Sequence, residues 1–231
     1  MNTEKFNQFL NKISKEPLPV IDAAISLESY FPIVISSKNK ELLNFDISSS
    51  SEWEVYLKSF LEKNKAKIAF GGYFEKRNIY DRSNYFKNVS ENEKRNIHLG
   101  IDLWCKESIK VLAVLDGEVH SFKNNKNFGD YGPTIILKHE IENEVFYTLY
   151  GHLSLASIEN IKVGDAVLQG NTIGYLGSST VNGEYAPHLH FQIIRDLEDN
   201  FGDYPGVSSK ENIAFYKNNC PNPNLLLKLA I

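Results

Sequence analysis

Two kinds of hydrophobic repeat run along the chain. Over residues 3–15, Phe6, Phe9, Leu10 and Ile13 recur at helical spacing, which predicts a short amphipathic helix. A second stripe of the same period, Trp53, Tyr56, Leu57, Phe60 and Leu61, predicts a helix that packs into the core. Ser51-Glu52-Trp53-Glu54 matches a capping box at its start, and the pattern runs to about Asn64. Residues 30–36 read as a strand, as do residues 68–74 around a Gly71-Gly72 break, and the polar stretch 81–94 reads as a loop.

From residue 97 the pattern changes to short apolar runs punctuated by glycine. Residues 109–115 and 118–122 flank Asp116-Gly117, a hairpin signal. Residues 134–139 and 145–150 form a further pair, and 166–168, 172–176 and 188–194 complete the set. This repetition predicts a mostly β protein, an antiparallel sandwich or barrel-like core over residues 95–196. Residues 1–94 form a small α/β extension packed on it, and residues 197–231 a tail wrapped on the core, with a short helix near 210–217.

The chemistry lies in the β-rich part. In Pro187-His188-Leu189-His190-Phe191 the histidines sit at i and i+2, so in a strand both imidazoles leave one face. Adjacent neutral imidazoles make half of a transition-metal site. His98-Leu99-Gly100-Ile101-Asp102 adds a nitrogen and a carboxylate ligand, a mixture that suits zinc. On a straight strand that spacing would hold the two about 13 Å apart. They can share one ion only if the segment bends, and Gly100 is where a bend is tolerated. In Tyr150-Gly151-His152-Leu153, a histidine follows glycine at a strand end, where the backbone can turn to present it. His120 and His139 lack partner spacing and read as hydrogen-bonded or solvated strand residues.

Taken in order, His98-x-x-x-Asp102, Tyr150-Gly151-His152-Leu153 and Pro187-His188-Leu189-His190-Phe191 resemble the lysostaphin-type zinc metallopeptidases, which cut cross-bridges or stems of bacterial peptidoglycan. The resemblance spans roughly residues 95–196 and implies an all-β zinc core with a groove. It implies Zn2+ on His98, Asp102 and His190, with His152 and His188 left unligated as the catalytic histidines. Three protein ligands leave one tetrahedral position for water, as a catalytic zinc requires. His188 is favoured as the base and His152 as the partner of the developing oxyanion, although the sequence leaves the roles exchangeable. In family members a Gly/Arg segment lines the cleft just before the first ligand, which points to Tyr73 and Arg77 as groove residues, Arg77 clamping a substrate carboxylate. Some relatives are held inactive by an N-terminal fourth ligand, for which Asn78, Asp81 and Asn84 are candidates.

Composition narrows the partners. With 231 residues, a net charge of −4 and no Lys/Arg block, nucleic acid is not expected. No run reaches the roughly 18 apolar residues of a membrane span. The opening Met1-Asn2-Thr3-Glu4-Lys5-Phe6 has no secretory apolar stretch, so the expected location is cytoplasmic, or the cell envelope if the native N-terminus lies upstream. Cys105 and Cys220 read as buried free thiols. The expected partner is a peptide or a peptidoglycan fragment. The alternatives are a zinc-holding module that does not cut and a cytoplasmic zinc hydrolase of small peptides or amides.

Overall fold

The computed structural model describes residues 1–77, 90 and 92–230. Its strands are β1 (Tyr30–Pro32), β2 (Ile68–Gly71), β3 (Ile97–His98), β4 (Ile101–Trp104), β5 (Lys110–Leu112), β6 (Gly117–Asn125), β7 (Gly132–Ile141), β8 (Glu144–Gly151), β9 (Ala166–Val167), β10 (Thr172–Tyr175), β11 (His188–Ile194) and β12 (Val207–Ser208). The helices are α1 (Thr3–Ile13), α2 (Ser50–Lys63), α3 (Ile213–Asn219) and α4 (Asn224–Leu227). Eight strands form one mixed sheet in the order β1-β2-β4-β11-β8-β7-β6-β9, and β10-β5 and β12-β3 form two small ladders. The large sheet is open, with β1 and β9 at its edges, so the core is not a closed barrel.

Strand β11 sits between β4 and β8 and is buried along its whole length. Its alternation sends Leu189, Phe191 and Ile193 into the main apolar core and leaves His188, His190 and Gln192 on the other face. Register then decides what those polar residues meet. His190 pairs with Asp102 on one side and with Gly151 on the other. The β7–β8 hairpin closes through Glu142 and Asn143, both at positive φ (52° and 65°), as a two-residue turn with right-handed strand twist demands.

The amphipathic helices form as their stripes predict. Asn2 caps α1 by accepting from the Lys5 amide (2.9 Å), and Phe6 and Phe9 meet Phe146 edge-on. Helix α2 begins slightly earlier than the capping-box reading places it. Its N-cap is Ser49, which accepts from the Glu52 amide, while the Glu52 carboxylate takes the Asp46 amide (2.7 Å). Leu226, Leu227 and Leu229 near the C-terminus enter the same core cluster as Phe6 and Leu10. Among the described residues no helix is long and apolar enough to cross a membrane.

The Asp116-Gly117 hairpin does not form. Strand β5 pairs with β10, while β6 pairs with β7 and β9. Residues 111–115 are buried as the chain passes from the small ladder to the large sheet, so burial overrides the local turn signal. Gly117 is needed there for closeness, since a Cβ would lie 2.4 Å from the Lys138 carbonyl oxygen.

His139 lies fully buried beside that corner. Its Nδ1–H donates to the Asp116 carbonyl (2.8 Å), and its Nε2 pairs with the Thr148 hydroxyl (2.7 Å). Burial lowers its pKa from 6.5 to about 4, against the opposing bond to Asp116. Between those values the unfolded chain binds a proton that the folded chain does not, so stability falls as pH falls. The pH dependence of unfolding between pH 6.5 and 4 should therefore be shallower in His139→Gln, by up to roughly 1.4 kcal/mol per pH unit. Chemical denaturation at several pH values measures both slopes, and equal slopes would refute this account.

Candidate metal centre and catalytic cleft

His98, Asp102 and His190 converge from three strands. His98 ends β3 and Asp102 lies in β4, and the chain bends between them at Leu99-Gly100, as the spacing requires. His98 Nε2 comes to 3.2 Å from Asp102 Oδ1. Gly100 is required for packing, because a Cβ there would stand 2.6 Å from the Phe191 carbonyl oxygen and 2.7 Å from the His190 ring. His190 Nδ1 lies 2.9 Å from His98 Nε2 and 3.1 Å from Asp102 Oδ1. All three residues are buried.

The surrounding hydrogen bonds set the tautomers. His98 Nδ1–H donates to the Gly72 carbonyl (3.0 Å), and His190 Nε2–H donates to Gln192 Oε1 (2.9 Å). Gln192 is itself held, since its amide donates to the Pro205 carbonyl (3.2 Å) and the Cys220 sulfur (3.3 Å). The two nitrogens facing each other therefore both carry lone pairs, and the third member is a carboxylate. Burial lowers the pKa of His98 to about 3, with the Arg77 charge adding to it. Burial alone would raise Asp102, but the Arg77 guanidinium beside it outweighs burial and holds the carboxyl well below its ordinary range. Three electron-pair donors thus meet with no proton between them, an arrangement that a cation completes. Their 2.9–3.2 Å separations approach the roughly 3.3 Å edge of a tetrahedron built on zinc–nitrogen bonds of about 2.0–2.1 Å. The donor set fits zinc.

His152 and His188 lie beside this cluster, their ring centroids 4.1 Å apart. His188 Nδ1–H donates to the Ala186 carbonyl (2.7 Å) and His152 Nδ1–H to the Asn182 carbonyl (2.8 Å), which leaves both Nε2 atoms as bases. His188 Nε2 reaches to 4.0 Å from Asp102 Oδ1, and its ring stacks on Trp104. Burial lowers the pKa of both histidines, in His152 with further help from His188 and His190, so both are neutral at neutral pH. His152 sits at φ 64°, a left-handed conformation that histidine adopts more readily than most residues. Its backbone is pinned there: its amide donates to the Tyr131 carbonyl and its own carbonyl accepts from Gly177, each at 2.9 Å.

A cavity of about 330 Å³ opens over these groups. Ile35 and Trp53, from the region before residue 95, join Trp104 and Ala186 in an apolar wall near His188. Elsewhere the lining carries Asp130 and Asp203, and burial together with Asp203 raises the Asp130 carboxyl. Arg77 lines the cavity, but it is buried and its charge is engaged by this chain's own carboxylates, Asp102 through Nη1 (2.5 Å) and Glu75 through Nε (2.9 Å). Tyr73 is not among the lining residues; its hydroxyl donates to the Cys220 carbonyl (2.8 Å). Asn78, Asp81 and Asn84 lie outside the described residues. Among the described residues no cysteine joins the three-donor group. Gln192, which the sequence patterns did not single out, holds the His190 ring from i+2 on the same strand face.

Residues 96–201 match the sequence model of peptidase family M23. The match takes in 106 of the 231 residues, a little under half of the chain. Over 96 residues the chain is 38% identical to the glycyl-glycine endopeptidase ALE-1 of Staphylococcus capitis, a match covering 41% of this chain and 24% of that protein. The chain thus spans about a quarter of the length of that curated relative. Among solved structures, the catalytic domain of the antimicrobial peptidase lysostaphin from Staphylococcus simulans is 27% identical, with 53% of this chain and 81% of that one covered at a TM-score of 0.37. A zinc-containing peptidase from Vibrio cholerae is also 27% identical, with 47% and 30% covered at a TM-score of 0.35. The M23 match holds every member of the histidine–aspartate cluster and neither Arg77 nor Gly72.

Gly100→Ala drives a methyl group against the His190 ring and should lower both metal content and stability, the latter by about 1–3 kcal/mol. Elemental analysis and thermal unfolding of the purified variant measure the two effects. Full metal content with an unchanged melting temperature would show that the close approach at Gly100 is not what places His190.

Proposed function

We propose that the protein is a zinc-dependent endopeptidase acting on peptides of the peptidoglycan type. One observation carries this reading: two neutral imidazoles with bare Nε2 atoms stand beside a buried three-donor site suited to zinc. The M23 match and the likeness to a glycyl-glycine endopeptidase support a peptide substrate.

His98, Asp102 and His190 would hold the metal. When bound, zinc supplies a Lewis acid that lowers the pKa of water from about 15.7 to roughly 7. The chain's own groups do the rest. His188, whose Nε2 reaches to 4.0 Å from Asp102 Oδ1, takes a proton from the attacking water and delivers it to the leaving amine. His152 faces His188 from a fixed backbone; with its Nδ1–H given to the Asn182 carbonyl its Nε2 is an acceptor, so it orients the attacking water by accepting a hydrogen bond from it instead of donating to the oxyanion. Trp104 stacks on His188, and the Ala186 and Asn182 carbonyls keep each imidazole in the required tautomer.

The roles separate in two variants. His190→Ala should lose bound zinc, whereas His188→Ala should keep zinc and lose cleavage by at least about 10²-fold. Metal analysis together with chromatography of muropeptide and oligoglycine digests reads both. A wild type that binds zinc and leaves every such peptide intact would overturn the peptidase reading in favour of a zinc-holding module. A His188→Ala protein as active as the wild type would remove His188 from the chemistry.

A further inference from the structure

Asp102 has two oxygens, and the structure treats them differently. Oδ1 faces His98 and His190, while Oδ2 accepts from Arg77 Nη1. Arg77 is buried, and its Nε donates to Glu75 Oε2 (2.9 Å). The other oxygen of Glu75 accepts the backbone amides of Ile35 (2.9 Å) and Ser36 (3.1 Å). A hydrogen-bonded line thus runs from the segment that forms the apolar cleft wall, through Glu75 and Arg77, to the carboxylate of the metal site. The guanidinium fork suits this task, because two of its nitrogens point at different carboxylates in a fixed plane. The ring of Trp104 lies under it, 5.5 Å from the guanidinium carbon, and blocks its retreat. Gly72 makes room for it, since a Cβ there would fall 1.8 Å from Nη2.

We propose that Arg77, held by Glu75, is a positioning residue that fixes Asp102 as a one-oxygen ligand, so that the region upstream of the M23 match completes the metal site. This rests on the zinc reading above. Occupation of Oδ2 leaves Oδ1 alone for the metal and stops the carboxylate from rotating to offer both oxygens. Without Arg77, Asp102 would be a buried anion with freedom to turn. Outer contacts of this kind typically contribute 10- to 100-fold to metal affinity.

The test uses the full chain as wild type, Arg77→Met, Arg77→Lys and Glu75→Gln, each prepared metal-free. Zinc affinity is measured by competition with a chromogenic chelator, coordination by the visible spectrum of the cobalt(II)-loaded protein, and folding by the melting temperature of the metal-free protein. Arg77→Met should bind zinc about 10- to 100-fold more weakly and change the cobalt spectrum. Arg77→Lys should recover part of the affinity, because an ammonium reaches one carboxylate but not both, and Glu75→Gln should fall between wild type and Arg77→Met. A purely structural role would lower the melting temperature and leave the affinity and spectrum of the folded protein alone, and that result overturns the proposal. Should Arg77→Met fail to fold, unchanged affinity and spectrum in Glu75→Gln overturn it equally. A wild type that binds no transition metal overturns the zinc reading and this inference with it, whereas a metal-binding wild type matched by its variants overturns only the inference.

Discussion

Three electron-pair donors face one another in a buried space, and the structure around them is arranged to tolerate that. His98 Nε2, His190 Nδ1 and Asp102 Oδ1 would repel one another if nothing held them. Each is held from behind: His98 by the Gly72 carbonyl, His190 by Gln192 and Asp102 by Arg77. The repulsion is the other face of affinity for a cation, because a site prearranged in this way has little ordering left to do when metal arrives. The same principle governs the neighbouring pair, where backbone carbonyls fix the Nδ1 protons of His152 and His188 and leave their other nitrogens bare.

The parts of this site that depend on local periodicity were legible in the sequence. Alternation in β11 places His188 and His190 on one face, and a glycine between His98 and Asp102 marks the bend that lets them meet. What depends on strand order was not legible. Arg77 reads locally as a groove residue for a substrate carboxylate, whereas pairing of β2 with β4 brings its segment beside Asp102, which it binds instead. Gln192 was within reach of the same alternation argument that found the histidines. The Asp116-Gly117 corner shows the opposite failure: a strong local turn signal yields where burial of residues 111–115 draws the two flanking strands into different sheets.

The N-terminal region is bound to the site through more than packing. Parallel pairing of β1 with β2, and antiparallel pairing of β2 with β4, extends the large sheet beyond the M23 segment. That extension supplies the Gly72 carbonyl, Glu75 and Arg77, and it sets Ile35 and Trp53 against the cleft. A region that reads as an extension by sequence is, in the structure, continuous with the strands that carry the three-donor cluster.

The central position of β11 also bears on how the chain reaches its native state. His98 and His190 are separated by 92 positions, and their meeting requires β4, β11 and β8 to be aligned side by side. Contacts between such distant positions form late, after the entropy of closing long loops has been overcome. The donor cluster thus depends on completion of the sheet, so a cation taken up by the proposed site would meet its full donor set only in the folded chain.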